Sequence, residues 1–282
     1  MLPSLGRLLR PALAIAITAY VLMRARPSDV LASAAHADWR WIAAAVALTI
    51  VDRALMAYRW MALLSAVARP RPPIAALLRV FFESTFLGTF LPASVGGDAA
   101  RTYQLARLGV PTAVALGSVL MDRLLGVIAI LIMGAAGLLL SHGDLGSTRA
   151  IEVSLLVAGT ISVGALAVVF SDTAARLARA MSDLVPWAPA RRLGHALTDA
   201  TRAYATHHAV LALVLGGSIG VQILRIVQAG LLGLALHIDV PFSTYFAFIP
   251  LILLVMLLPV SINGIGPSQA AFVWFFARAG VS

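Results

Sequence analysis

The sequence predicts an all-α fold: a polytopic α-helical membrane bundle of about six spans plus two re-entrant segments interrupted by proline and glycine. Three observations carry that prediction. Hydrophobic residues make up 61% of the 282-residue chain and charged residues only 12%, against roughly 45–50% and about 25% in a soluble domain. The apolar residues fall into runs close to the ~20 residues that one span needs. Two of these runs end in a matching proline–serine–glycine pattern. One soluble core cannot hide this much apolar surface, which excludes a soluble enzyme. The absence of cysteine excludes a disulfide or zinc–cysteine scaffold.

The elements follow in order. Residues 5–23 are the first apolar run, with Arg7 and Arg10 ahead of it. The nearest small-x-small pattern, Ala35-His36-Ala37, lies far beyond Met23, so the run is expected to stay as an uncleaved span. Residues 40–67 form a long helix that holds Asp52, Arg53 and Arg59. Arg69-Pro70-Arg71-Pro72-Pro73 stops it, because proline cannot continue a helix. Residues 74–91 are a shorter apolar stretch that runs into Leu91-Pro92-Ala93-Ser94-Val95-Gly96-Gly97-Asp98. Amphipathic residues 99–109 precede a span at 111–140 that carries Asp122 and Arg123, and 151–170 is the next span. Residues 171–208 are an amphipathic cytoplasmic connection with five arginines at helical spacing, suited to an anionic membrane surface. A span at 209–237 contains Arg225. Residues 242–258 end in Leu258-Pro259-Val260-Ser261-Ile262-Asn263-Gly264-Ile265-Gly266, and a last apolar piece covers 270–277.

The two motifs share the pattern Leu-Pro-x-Ser-(Val or Ile)-x-Gly. Broken backbone at membrane depth must line a cavity or be packed in protein. Paired interrupted segments in two halves of a chain point to a transporter's central site. The chain is therefore read as one domain over 1–282, with inverted halves at about 40–140 and 205–282. Charge topology agrees. If residues 74–98 dip in and return, and the N-terminus is cytoplasmic, the inner side holds 12 arginines and the outer side 4. If that segment crosses instead, the best division is 10 against 6, so the positive-inside rule favours re-entrance.

All 21 basic residues are arginine, and the formal net charge is +9. Composition bias accounts for arginine in loops but not inside apolar runs. A centred Arg or Asp costs about 2.5–3.5 kcal/mol on the insertion scale, so such residues face partners or water. Arg53, Arg59, Arg123 and Arg225 are in that position, with Asp52, Asp122 and Glu83. Sequence neighbours point roughly 100° apart on a helix and are not expected to neutralise each other. Two readings stand side by side: salt bridges that fix helix packing, and a basic cleft for an anionic headgroup. The Gly-Gly-Asp turn, with a helix starting after it, would add backbone N–H donors for a phosphate. Gly216, Gly217 and Gly220 are expected to serve close helix packing. The six histidines show no metal-like clustering and there is no P-loop, so neither metal, cofactor nor ATP hydrolysis is expected.

Arg59-Trp60, the block Leu91 to Arg101, Asp122-Arg123 and the block Leu258 to Gly266 resemble the transmembrane region of lysylphosphatidylglycerol synthases. This is a flippase-like membrane family with many stand-alone members. The resemblance covers nearly the whole chain from about residue 40. It implies an inner-membrane protein that translocates or handles lipids, with two re-entrant segments around a headgroup site. Two departures stand out: Ser268-Gln269 replaces the family's usual Arg-Glu, and members usually continue beyond the position of Ser282. The soluble aminoacyl-transferring domain of the full synthases is not recognised, so lysyl transfer is not expected of this chain alone.

The leading expectation is an inner-membrane transporter moving an anionic phospholipid, or an isoprenoid or polyprenyl-type lipid, between leaflets. Arg59, Arg101, Arg123 and Arg225 would hold the headgroup, and Asp98 and Asp122 would orient them. Ser94, Gly96, Gly97, Ser261, Asn263, Gly264 and Gly266 would line the site. The partners expected are membrane lipids and the bilayer, not nucleic acid, with a separate lipid synthase or glycosyltransferase as a further candidate. Two other classes compete. One is a membrane-embedded transferase on a lipid-linked substrate, with Asp98 or Asp122 as general base. The other is a non-catalytic partner of a separate synthase.

Overall fold

Ten helices, all of them α, make up the described residues of the computed structural model, which are 35–90, 95–140, 149–256 and 267–281. The expectations placed on residues 5–23, Ser94, Ser261, Asn263, Gly264 and Gly266 lie outside the described residues. The helices are α1 (Trp39–Val67), α2 (Ile74–Phe90), α3 (Val95–Arg107), α4 (Thr112–Leu140) and α5 (Arg149–Phe170), then α6 (Asp172–Asp183), α7 (Ala188–Arg202), α8 (His208–Ala235), α9 (Phe242–Met256) and α10 (Pro267–Arg278). Local sequence sets their ends. The Asp38 side chain accepts from the Arg40 N–H at 3.0 Å and caps α1. Ser171 does the same for α6, and a proline opens the first turn of α7.

Among the described residues, α1, α4 and α8 are long and apolar enough to cross a membrane. A fourth span results if α5 and α6, bent by 104° at Ser171, count as one. Of about six expected spans, the first, residues 5–23, lies outside the described residues, and the stretches expected to be re-entrant hold only short helices, α2, α3, α9 and α10. The 17 residues of α2 and the 15 of α9 extend about 25 and 22 Å, less than the ~30 Å of bilayer hydrocarbon.

α1 and α8 lie antiparallel. Gln228 reaches Thr49 at 3.2 Å, Arg225 reaches Met56 at 3.5 Å, and the Asp38 N–H donates to the Ala235 carbonyl at 2.9 Å. α2 and α3 are an antiparallel hairpin whose backbones nearly touch. A Cβ on Gly97 would come within 2.8 Å of the Ser84 carbonyl oxygen and 3.2 Å of Gly88 Cα. Only residues without a side chain permit that approach. α9 and α10 form a second hairpin held by aromatic pairs, Tyr245 on Phe276 at 5.3 Å and Phe248 on Phe275 at 5.2 Å. It packs on α4, where a Cβ on Gly137 would meet the Phe246 carbonyl oxygen at 2.6 Å.

The hairpins open toward opposite ends of the bundle. The α2–α3 pair opens where α1 ends and α4 begins; the α9–α10 pair opens where α8 ends. Arg69, Arg71 and Arg107 lie at the first end, with the arginines of α6 and α7. There α6 and α7 turn away from α5, pair Arg179 with Asp199 at 2.6 Å, and leave Leu177, Met181, Leu184 and Trp187 exposed.

Candidate functional site

Asp52 and Arg59 are seven residues apart, two turns of α1, and project from one stripe. Both are buried, at 2% and 4% exposure. Each begins a separate layer of charge.

In the first layer Arg59 Nη2 donates to Asp122 Oδ1 at 2.8 Å. The methylene stem of Arg59 lies on Gly217, where a Cβ would come within 2.9 Å of Arg59 Cγ, and Gly126 sits beside the guanidinium. Arg123, next to Asp122, reaches a different helix: its Nε donates to Asp98 Oδ2 on α3 at 2.9 Å. The 100° between neighbours lets α4 hold α1 with one residue and α3 with the next. Arg101 is 8% exposed and donates from Nε to Ser84 Oγ at 3.1 Å. Its guanidinium lies over the rings of both Trp60 and Phe81, 4.8 and 4.7 Å from their centroids, and the two rings pack on each other with centroids 6.2 Å apart. The layer thus gathers three arginines and two aspartates among the described residues. It lies about 15 Å along α4 from Thr112, counted over the ten residues to Asp122. Beneath it the Tyr204 hydroxyl, in the turn before α8, donates to the Leu63 carbonyl at 3.2 Å. Burial pushes that phenol up, so Tyr204 stays a neutral donor at ordinary pH.

The second layer joins α1 to α8. Arg53 approaches Asp52 Oδ2 at 3.2 Å, and Arg225 Nε approaches Asp52 Oδ1 at 3.4 Å. Arg225 therefore stands apart from Arg59, Arg101 and Arg123, with which the sequence had grouped it.

Three local expectations need correction. Arg53 and Asp52 are sequence neighbours yet pair, because an arginine side chain is long enough to fold back. Glu83 does not face inward: it pairs with Arg79 at 2.6 Å on the exposed face of α2. Gly96 and Gly97 do not precede the helix; α3 already begins at Val95, and Gly97 serves the backbone contact with α2. Of the other glycines, Gly217 and Gly220 do pack closely, against Arg59 and Leu55, whereas Gly216 meets nothing within 4 Å. Ser84, Phe81, Gly126 and Met56 escaped the sequence reading. Nothing marks them locally, since each gains its role from a partner on another helix.

Two cavities lie away from the charges. One of about 380 Å³ sits between α4, α5 and α7, lined by Leu124, Val168 and Leu197 among others. One of about 240 Å³ sits between α8 and α9 against Gly230 and Tyr245. Among the described residues no group of three His, Asp or Glu is arranged to hold a metal ion.

Compared with known proteins, residues 7–282 match the model of one family, described as the lysylphosphatidylglycerol synthase TM region. No match was found among curated proteins or among solved structures.

Proposed function

Because the chain belongs to the lysylphosphatidylglycerol synthase TM region family, a family of multi-pass membrane proteins, we propose that it moves an anionic lipid between the leaflets of a bacterial inner membrane. One observation carries this reading. The first layer has one positive charge more than its described carboxylates balance, and its Arg123 is 44% exposed. An unbalanced charge at that depth is costly unless an anion or water meets it. A phosphodiester carries one negative charge, which favours an anionic phospholipid over a polyprenyl phosphate.

In this reading the α2–α3 and α9–α10 pairs are re-entrant hairpins of two inverted halves. The arginine-rich end faces the cytoplasm, as does the N-terminus, and α6 and α7 rest on the anionic headgroups with Trp187 and Leu184 immersed. Cysteines placed at positions 71 and 107 are then expected to react with an impermeant maleimide from the same face. Labelling from opposite faces would sink the hairpin reading.

The transferase alternative is less favoured. Both candidate bases, Asp98 and Asp122, are engaged by guanidinium groups at 2.9 and 2.8 Å, whereas a general base needs a carboxylate oxygen within hydrogen-bond reach of a substrate hydroxyl.

The test is reconstitution into phosphatidylcholine vesicles with labelled phosphatidylglycerol, phosphatidylcholine or polyprenyl phosphate, scoring leaflet exchange. Phosphatidylglycerol is expected to exchange at least tenfold faster than phosphatidylcholine. Equal rates for both would refute anion selection. No exchange of any lipid would favour the non-catalytic partner instead.

A further inference from the structure

The Asp52–Arg53–Arg225 layer is not needed for packing in the form it takes. One arginine would neutralise Asp52, yet two converge on it. Arg225 is poorly satisfied: its Nε is 3.4 Å from Asp52 Oδ1, which accepts no hydrogen bond among the described residues, and its Nη2 donates to the Met56 sulfur at 3.5 Å. A thioether is a weak acceptor, whereas each guanidinium carries five N–H donors. Three residues before Arg225 on α8, Gln222 is buried and its Oε1 has no partner among the described residues. The layer is also reachable, since the Arg53 and Arg225 side chains are 39% and 24% exposed while Asp52 is 2% exposed.

Its position matters as much. Asp52 lies 13 residues from the start of α1 and 15 from its end, about 20 Å from either end. The seven residues between Asp52 and Arg59 separate the two layers by about 10 Å along α1. Each layer holds one arginine more than it holds aspartates.

We infer that Asp52, Arg53 and Arg225 form a second station for the lipid phosphate, at the middle of the bundle, and that the headgroup crosses by stepping between two stations of equal charge. This inference rests on the transport reading above. Equal excess charge makes the two stations similar in attraction, so neither traps the anion. Several weak sites in series allow passage where one strong site would hold its ligand. Along α8, Gln222 falls in height between Gly217, which packs on Arg59, and Arg225.

The experiment compares Arg53→Gln, Arg53→Lys and Arg123→Gln with the wild-type chain in phosphatidylcholine vesicles holding labelled phosphatidylglycerol. Arg53→Gln leaves the Asp52–Arg225 pair in place and brings the layer to neutrality. Its exchange is expected to fall at least tenfold with an unchanged melting temperature, while Arg53→Lys keeps at least half the wild-type rate. Wild-type exchange by Arg53→Gln, with loss in Arg123→Gln, would overturn the second station and leave the transport reading intact. Equal loss in both Arg53 variants would overturn the charge argument for the station. Should wild-type protein not exchange phosphatidylglycerol at all, both readings fall. Should Arg53→Gln not accumulate, a photo-crosslinking residue at Met56 decides with tritiated phosphatidylglycerol: an adduct supports the station and its absence overturns it.

Discussion

Asp122→Ala is expected to destabilise the protein by about 3–5 kcal/mol, the usual cost of removing one partner from a buried ion pair. Arg59 is enclosed by Gly217 on one side and Gly126 on the other, and its Nε already lacks a hydrogen-bond partner among the described residues. Without Asp122 its guanidinium keeps only the carbonyl of residue 122, at 3.4 Å. The loss should appear as a lower melting temperature in detergent and reduced accumulation in the membrane. The double variant Arg59→Met with Asp122→Leu separates charge from shape. It removes both desolvated groups and fills the space with apolar atoms, so it should regain most of the stability while exchanging no phosphatidylglycerol. If Asp122→Ala melts within about 1 kcal/mol of wild type, the range of an exposed pair, then water reaches Arg59 and the pair is not structural.

The long helices were legible because length and apolarity are properties of a contiguous stretch. Residues 40–67, 111–140 and 209–237 anticipate α1, α4 and α8 to within a few residues. The α2–α3 fold-back was legible for a different reason: Pro92 and Gly96-Gly97 interrupt the apolar run, and the arginine asymmetry favours a return. The charge partners were not legible. Arg59 and Asp122 are 63 residues apart and Arg123 and Asp98 are 25 apart, so only the packing of α1, α3 and α4 selects these pairs. The same limit misplaced Arg225, which reaches from α8 to Asp52 on the α1 stripe, two turns from Arg59. It also misread the glycines of α3, whose use is set by the Ser84 carbonyl of the facing helix. The 104° turn at Ser171 was visible only as the onset of polar residues, since direction comes from how α7 docks on α4, with Ala200 against Gly117.

Arg101 and Arg123 look alike in sequence, each near an aspartate, and lysine substitution is expected to divide them. Arg123 is half-exposed and donates through Nε to Asp98. Lysine there keeps the charge and loses the planar fork that matches two phosphate oxygens. Arg123→Lys should therefore insert and melt as wild type, yet exchange phosphatidylglycerol at least tenfold more slowly. Arg101 stands differently. Its guanidinium is buried over the faces of Trp60 and Phe81 and bonded to Ser84. A flat, weakly hydrated cation stacks on aromatic faces while keeping its hydrogen bond; a compact, strongly hydrated ammonium does this less well. Arg101→Lys should lose about 1–2 kcal/mol of stability through the weakened cation–π contacts, before any effect on exchange. The two variants are measured side by side, by melting in detergent and by exchange per folded molecule in vesicles. Wild-type exchange by Arg123→Lys would remove bidentate phosphate holding from that residue. Unchanged melting of Arg101→Lys, with lost exchange, would make Arg101 a headgroup ligand and not the pin that holds α3 and α2 against α1.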